Sequence, residues 1–360
     1  MFPALPLLLL PAAAEPRVLL YTMGAGDDLL SRWGHAALCV LPEGKATGPC
    51  YDFGHTDYGN PTSVVWAFFR GTGRYWAEVE PLPRLVKRFH DRDQAVWSQV
   101  LDLPLGEATR LAGRLERLVN SDENFYLYHH FHDNCSTRLR DLVDDATGGA
   151  LRRDNDTPSG PTYRSVAEHG LSGFVPLQVM LELGLGRDAD RSTSPWEGML
   201  HPDVLRAQVQ SRLGAQPKLI FARAAPPPPD APAGGRIVVG ASGPLLALWS
   251  WLAGRRDPGR TVWRVALGLG LTATCFWTAA LLTALPEIRW NEVLLCLWPT
   301  DLLLPAMSAT TSRKYLGTRA AGLLLVTALW LGGIVIQPLG PVLLLAGVPL
   351  AAVAWARRRG

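Results

Sequence analysis

Several absences narrow the reading of this chain before any motif is considered. Its 360 residues include only five cysteines, so no dense disulfide scaffold can account for the fold. Formal net charge is only +3, and the basic residues form no stripe, which argues against nucleic acid as a partner. No internal repeat is visible, leaving no basis for a solenoid. Charge is scarce in one half alone. Up to about residue 224 the composition is that of a mixed soluble domain, and beyond it Leu, Ala, Val and Trp dominate.

Between the halves lies Ala224-Ala225-Pro226-Pro227-Pro228-Pro229-Asp230, running into Ala-Pro-Ala-Gly-Gly. Such a run packs no core and favours extended polyproline geometry, so 225–235 reads as a linker and 15–224 as one domain. Residues 1–14 hold Leu-Pro-Leu-Leu-Leu-Leu-Pro and a closing Ala-Ala-Ala, the pattern of a signal peptide with a small-residue cleavage site. An uncleaved anchor is the other reading.

Five apolar stretches follow, near 237–253, 265–285, 293–307, 320–336 and 342–356. A bilayer crossing takes about 20 apolar residues, with about 17 tolerated. The third is short and holds Pro299, Asp301 and Pro305, so it reads as a span or a re-entrant segment. Arg255, Arg256, Arg260 and Arg264 lie in the first connection, Arg313, Lys314 and Arg319 in the third, and Arg357, Arg358 and Arg359 end the chain. With five spans all of them fall on one side, which the positive-inside rule makes cytoplasmic. The N-terminal domain is then extracytoplasmic, in a bacterial inner membrane protein with its C-terminus inside. An ionisable residue within a span is costly, which makes Asp301 a functional candidate, with a structural pairing equally open.

In an oxidising compartment Cys39 and Cys50, flanking the hairpin-like turn 41–49, form a candidate disulfide. Cys275 and Cys296 fall in membrane segments. This leaves Cys135, within His129-His-Phe-His-Asp-Asn-Cys-Ser-Thr-Arg-Leu-Arg-Asp. Asp133 or Asn134 is a good N-cap, Gly148 a natural stop, and Leu139, Leu142, Val143 and Ala146 recur at helical spacing. Cys135 would then occupy a first helical turn, where free amides and the dipole favour a thiolate. A buried, inert cysteine fits the same position. For a base, His35 opens the strand-like His35–Leu41, with Asp52 or His55 on the next strand to orient it. A core or surface histidine fits there too.

Ser31-Arg-Trp-Gly-His-Ala-Ala-Leu, Tyr51-Asp-Phe-Gly, the Tyr-x-Tyr of Tyr126 and Tyr128, and Asp133-Asn-Cys-Ser-Thr-Arg-Leu-Arg-Asp141 together resemble the Lnb family of bacterial lipoprotein intramolecular transacylases. The likeness extends over nearly the whole chain, through 71–80, Tyr163-Arg-Ser-Val-Ala and the order of domains. It implies an α+β domain of circularly permuted papain-like fold, followed by helical membrane spans. It also implies Cys135 as nucleophile and His35 as base, while Asp52 falls where the family more often carries Asn. Arg32, Asn134, Thr137, Arg138 and Asp141 match the motifs as support or substrate-positioning residues. The implied reaction moves the sn-2 acyl chain of a diacylglyceryl lipoprotein to its own amine, without metal or soluble cofactor. The partners are thus membrane lipid and lipoproteins.

Three other readings use the same residues. His129, His130, His132, Asp133 and Cys135 are of metal-ligand type but lack a clear second ligand pair. An envelope hydrolase or peptidase would use the same Cys and His. A non-catalytic membrane scaffold with a binding domain would keep Cys135 as core.

Overall fold

The computed structural model describes residues 15–29, 31–57, 59–255 and 257–359; the signal-like segment 1–14 and Arg256 lie outside the described residues. In chain order the elements are β1 (Arg17–Met23), β2 (His35–Leu41), β3 (Pro49–His55), α1 (Pro61–Arg70), β4 (Arg74–Pro81), α2 (Leu82–His90), β5 (Val96–Leu101), α3 (Glu107–Val119), β6 (Tyr126–Leu127) and α4 (Cys135–Ala146). Next come α5 (Tyr163–Gly170), α6 (Val175–Gly184), α7 (Pro195–Gly198), α8 (Pro202–Leu213) and β7 (Lys218–Phe221). The chain closes with α9 (Gly234–Gly254), α10 (Pro258–Leu282), α11 (Pro286–Arg289), α12 (Ala309–Leu331) and α13 (Gly340–Arg359). By their contacts these form two compact units. One runs to Asn60 and adds Gly73–Thr157 and Ser194–Pro227; the other takes Pro61–Thr72, Pro158–Thr193 and the chain from Pro228 on.

The first unit is built on a seven-stranded antiparallel sheet of order β6-β4-β3-β2-β1-β5-β7. Its central strands β1 and β2 are apolar over Val18–Tyr21 and Ala36–Leu41 and buried on both faces there. Side chains alternate across a strand, so each run divides between two cores. Val18, Leu20, Ala36, Leu38 and Val40 pack with Leu111 and Leu115 of α3, Leu139 and Val143 of α4 and Leu205 of α8. Leu19, Tyr21, Ala37 and Cys39 meet Leu82, Leu85 and Phe89 of α2 on the opposite side. The turn 42–48 joins β2 to β3, and Cys39 stands directly opposite Cys50, joined to it by a disulfide. This unit is therefore a mixed α/β domain.

In the second unit α9, α10 and α13 are long and apolar enough to cross a membrane. Helix α9 begins at Gly234, inside the stretch read as linker, because Gly234 and Gly235 lie against Gln178 of α6, where a Cβ would collide. Helix α12 matches them in length, but its first half carries Arg313, Lys314 and Arg319. The stretch 293–307 is not an α-helix: Glu292–Leu295 and Pro299–Ala306 are 3₁₀ segments. At about 2 Å per residue Pro299–Ala306 rises about 16 Å, where α-helix would give about 12 Å.

This stretch packs on α10 and is tied to the α13 segment near both ends. Near one end the Glu292 carboxylate accepts the Ile336 and Gln337 amides at 2.9 and 3.0 Å, just before α13 starts. At the other, Arg357 of α13 donates to the carbonyls of Leu304 and Met307 at 2.6 and 3.3 Å.

A 3₁₀ path between apolar helices leaves carbonyls that neighbours must satisfy. Trp277 Nε1 reaches Leu297 O at 2.8 Å, and Arg319 Nη2 reaches Cys296 O at 2.9 Å. Arg319 also pairs bidentately with Asp301, both contacts 3.0 Å, and Tyr315 donates to the same carboxylate at 2.7 Å. Asp301 and Arg319 are both buried. The structural account of Asp301 is thus an ion pair that pins a non-helical segment to α12. Asp301→Ala would strand Arg319 and should destabilise this unit by about 3–5 kcal/mol, read as a lower unfolding midpoint in detergent.

Candidate active site

The start of α4 is over-determined by its own sequence. The Asn134 side chain accepts the Thr137 amide at 3.0 Å, and Thr137 Oγ1 accepts the Asn134 amide at 2.8 Å, a reciprocal capping box. Asn134 Nδ2 also donates to the carbonyls of His130 and Leu200, at 2.8 and 3.1 Å. Arg138 clasps Asp133 through two contacts of 2.6 and 2.8 Å and lies 3.8 Å over the Tyr126 ring. Cys135 is therefore held as the first residue of a helix, half-buried at its positive end.

His35 opens β2 after Gly34, whose positive φ of 69° and close approach to the Met23 carbonyl leave no room for a side chain. Gly54, at φ 102°, lies in the irregularity of β3 between Phe53 and His55. A Cβ there would stand 3.8 Å from both Cys135 Cβ and His35 Cε1, so the bare backbone keeps that flank open. Cys135 and His35 lie close enough to shift each other's ionisation, and the Ala36 backbone amide favours the thiolate. His35 Nε2 is bonded to Asp52 Oδ1.

Asp52 is fully buried and collects more than one partner. Its Oδ2 receives Arg88 of α2 and lies 3.0 Å from His55 Nε2. Arg88 also reaches Glu80, and Phe89 stacks on His35 with ring centroids 5.6 Å apart.

Burial alone would lift the Asp52 carboxyl, but the charge and hydrogen bond of His35, with His55 and Arg88, hold it far below the usual carboxylate range. Burial would likewise lower His35, yet the charges of Asp52 and Cys135 raise it to about 10. For Cys135 burial works upward, and the imidazolium outweighs it to leave the thiol below its ordinary value. The balance favours a thiolate–imidazolium pair on a buried anion. That is the resting form of an activated sulfur nucleophile.

Residues 12–169 match the family model of the Lnb N-terminal periplasmic domain. This part of the chain is similar to that family. No curated protein and no solved structure matches the chain. A periplasmic Lnb domain followed by three membrane-length apolar helices marks an inner-membrane protein.

Within the Lnb domain the structure brings Cys135, His35, Asp52 and His55 together and gives Asn134, Thr137 and Arg138 to the helix start. Arg32 is buried in the turn before β2. Asp141 is not at the site: it is exposed, paired with Arg140 at 2.8 Å, and six residues along α4 from Cys135, about 9 Å of rise. Asp301 belongs to the membrane unit.

Of the clustered metal-ligand types, Asp133 is occupied by Arg138, and His129 and His132 stack with centroids 4.6 Å apart. His130 packs on Trp33 at 4.2 Å, and burial, with His129 and His201, lowers it to about 4.

Arg88 and Phe89 were not singled out by sequence, and only the third dimension brings α2 to Asp52. Tyr126 belongs to the Tyr-x-Tyr motif. Its hydroxyl is buried with no hydrogen-bond partner among the described residues, and its acidity is suppressed by burial and by the charge of Cys135.

Because the thiol pKa is lowered, alkylation of Cys135 by iodoacetamide should persist to lower pH than that of an ordinary thiol. His35→Ala should move the midpoint up to or above the ordinary thiol range, as followed by mass spectrometry across pH. An unchanged midpoint would detach His35 from the thiolate.

Proposed function

We propose that this protein is a membrane-anchored cysteine acyltransferase that rearranges diacylglyceryl lipoprotein into its lyso, N-acylated form. The observation that carries the reading is the row Cys135, His35 and Asp52 inside an Lnb domain. A cysteine at a helix start, packed on an antiparallel sheet whose strand end bears the histidine, also supports a papain-like, circularly permuted fold.

In the first half-reaction the Cys135 thiolate attacks the sn-2 ester carbonyl. A C–S bond forms and the carbonyl electrons move to oxygen. Backbone amides at the start of α4 and the unpartnered Tyr126 hydroxyl stabilise that oxyanion. Collapse breaks the bond to the glycerol oxygen, which takes the imidazolium proton from His35 Nδ1, the nitrogen that Asp52 does not hold. In the second half-reaction the substrate's free α-amine attacks the thioester and gives its proton to His35, and the thiolate leaves. No oxidant, metal or soluble cofactor enters the balance. Asp52 keeps the imidazole oriented and offsets its charge in both halves, and His55 and Arg88 keep Asp52 ionised.

Such a substrate is tethered in the outer leaflet, and anchoring the enzyme in the same bilayer raises its effective concentration. The topology that suits this has five crossings. The 3₁₀ stretch, tied near both ends of α13, crosses downward and α12 returns, so the basic connections stay cytoplasmic.

The test is mass spectrometry of the N-terminal lipopeptide of an abundant lipoprotein, in a host lacking its own N-acyltransferase. Wild-type protein should yield one acyl on the amine and one on glycerol, and Cys135→Ala should yield neither change. An unaltered diacylglyceryl peptide with wild type would overturn the reading and favour an envelope hydrolase. Tyr126→Phe should slow acyl transfer by about 10–100-fold while leaving iodoacetamide alkylation of Cys135 unchanged, since alkylation creates no oxyanion.

A further inference from the structure

Helix α1 carries its large apolar side chains on the outside. In Pro-Thr-Ser-Val-Val-Trp-Ala-Phe-Phe-Arg, Val65 is 68% exposed, Trp66 50% and Phe68 40%. At about 3.6 residues per turn Val65 and Phe68 share one face with Ser63 opposite, and Trp66 lies at the border, on the stripe that carries Ser63 and Arg70. A ten-residue helix that exposes Val65, Trp66 and Phe68 is not folding around a core of its own.

Its position within the membrane unit says what covers it. Thr283, the residue after α10 ends, donates through Oγ1 to the Phe69 carbonyl at 2.8 Å. Gly71 lies so close to Leu285 that a Cβ there would come within 2.8 Å of its side chain. The end of α1 is thus fixed where an apolar span stops. Trp290, 62% exposed, belongs to the same connection after α10. Aromatic side chains at the mouth of a span, with Arg70 set 6.0 Å over the Trp66 ring, are the composition of a bilayer boundary.

We infer that α1 is an interfacial helix whose Val65, Trp66 and Phe68 lie among the acyl chains of the leaflet at which α9 starts and α10 ends. The occupant is lipid. Because α1 lies between β3 and β4 in the chain, a loop leaving the Lnb sheet six residues after His55 is itself a membrane anchor.

The test uses the full-length protein in phosphatidylethanolamine–phosphatidylglycerol vesicles. A nitroxide is placed on Val65→Cys, Phe68→Cys or Ser63→Cys, in a background of Cys135→Ser, Cys275→Ser and Cys296→Ser. At positions 65 and 68 collisions with oxygen should exceed those with a water-soluble nickel chelate, and the order should reverse at 63. Nickel access at 65 and 68 would overturn the inference. So would shielding from both reagents, which would mean that protein, a second copy included, covers the face. The readout measures depth alone and holds whatever reaction Cys135 performs.

Discussion

One buried anion organises the candidate site. Asp52 has no exposed surface, and a carboxylate there is tolerated only because His35, His55 and Arg88 surround it. Each of those groups comes from a different segment: the start of β2, the end of β3 and the last turn of α2. The carboxylate therefore does more than orient one ring. It fixes where two strands and a helix meet, and the ring it fixes sets the charge on Cys135. Removing it would leave the surrounding cations without their counter-ion, so chemistry and local fold share the same bond.

The sheet's alternation explains why the supporting groups come from α2. Asp52 stands opposite Ala37, which belongs to the core shared with Leu85 and Phe89. The helix that presents Cys135 packs instead on the core of Leu38 and Leu139. The site thus lies where helices from both faces approach one strand end, with Gly54 beside Cys135 and His35.

Much of this was legible beforehand because local chemistry dictates it. Asn134, Thr137 and Gly148 announce a helix, and the apolar runs before and after residue 42 announce a hairpin. Choosing between Asp52 and His55 depended on register, and the structure uses both, one behind the other. Arg88 could not be found, since a basic residue in a surface-like helix signals nothing until the helix is docked. The stretch 293–307 was recognisable as unusual from Pro299, Asp301 and Pro305, but its 3₁₀ form depends on carbonyl partners far along the chain, on α10, α12 and α13.

The Cys39–Cys50 link has a consequence at the far end of its hairpin. It lies four residues from His35 on one strand and two from Asp52 on the other, both even separations. Parity is thereby built into the pair of strands. Residues can be gained or lost in the turn 42–48 without altering which face either group presents. A single insertion between Cys39 and His35 would rotate the imidazole to the wrong side of the sheet, leaving Asp52 facing Arg88 and His55 with nothing to hand on to the sulfur.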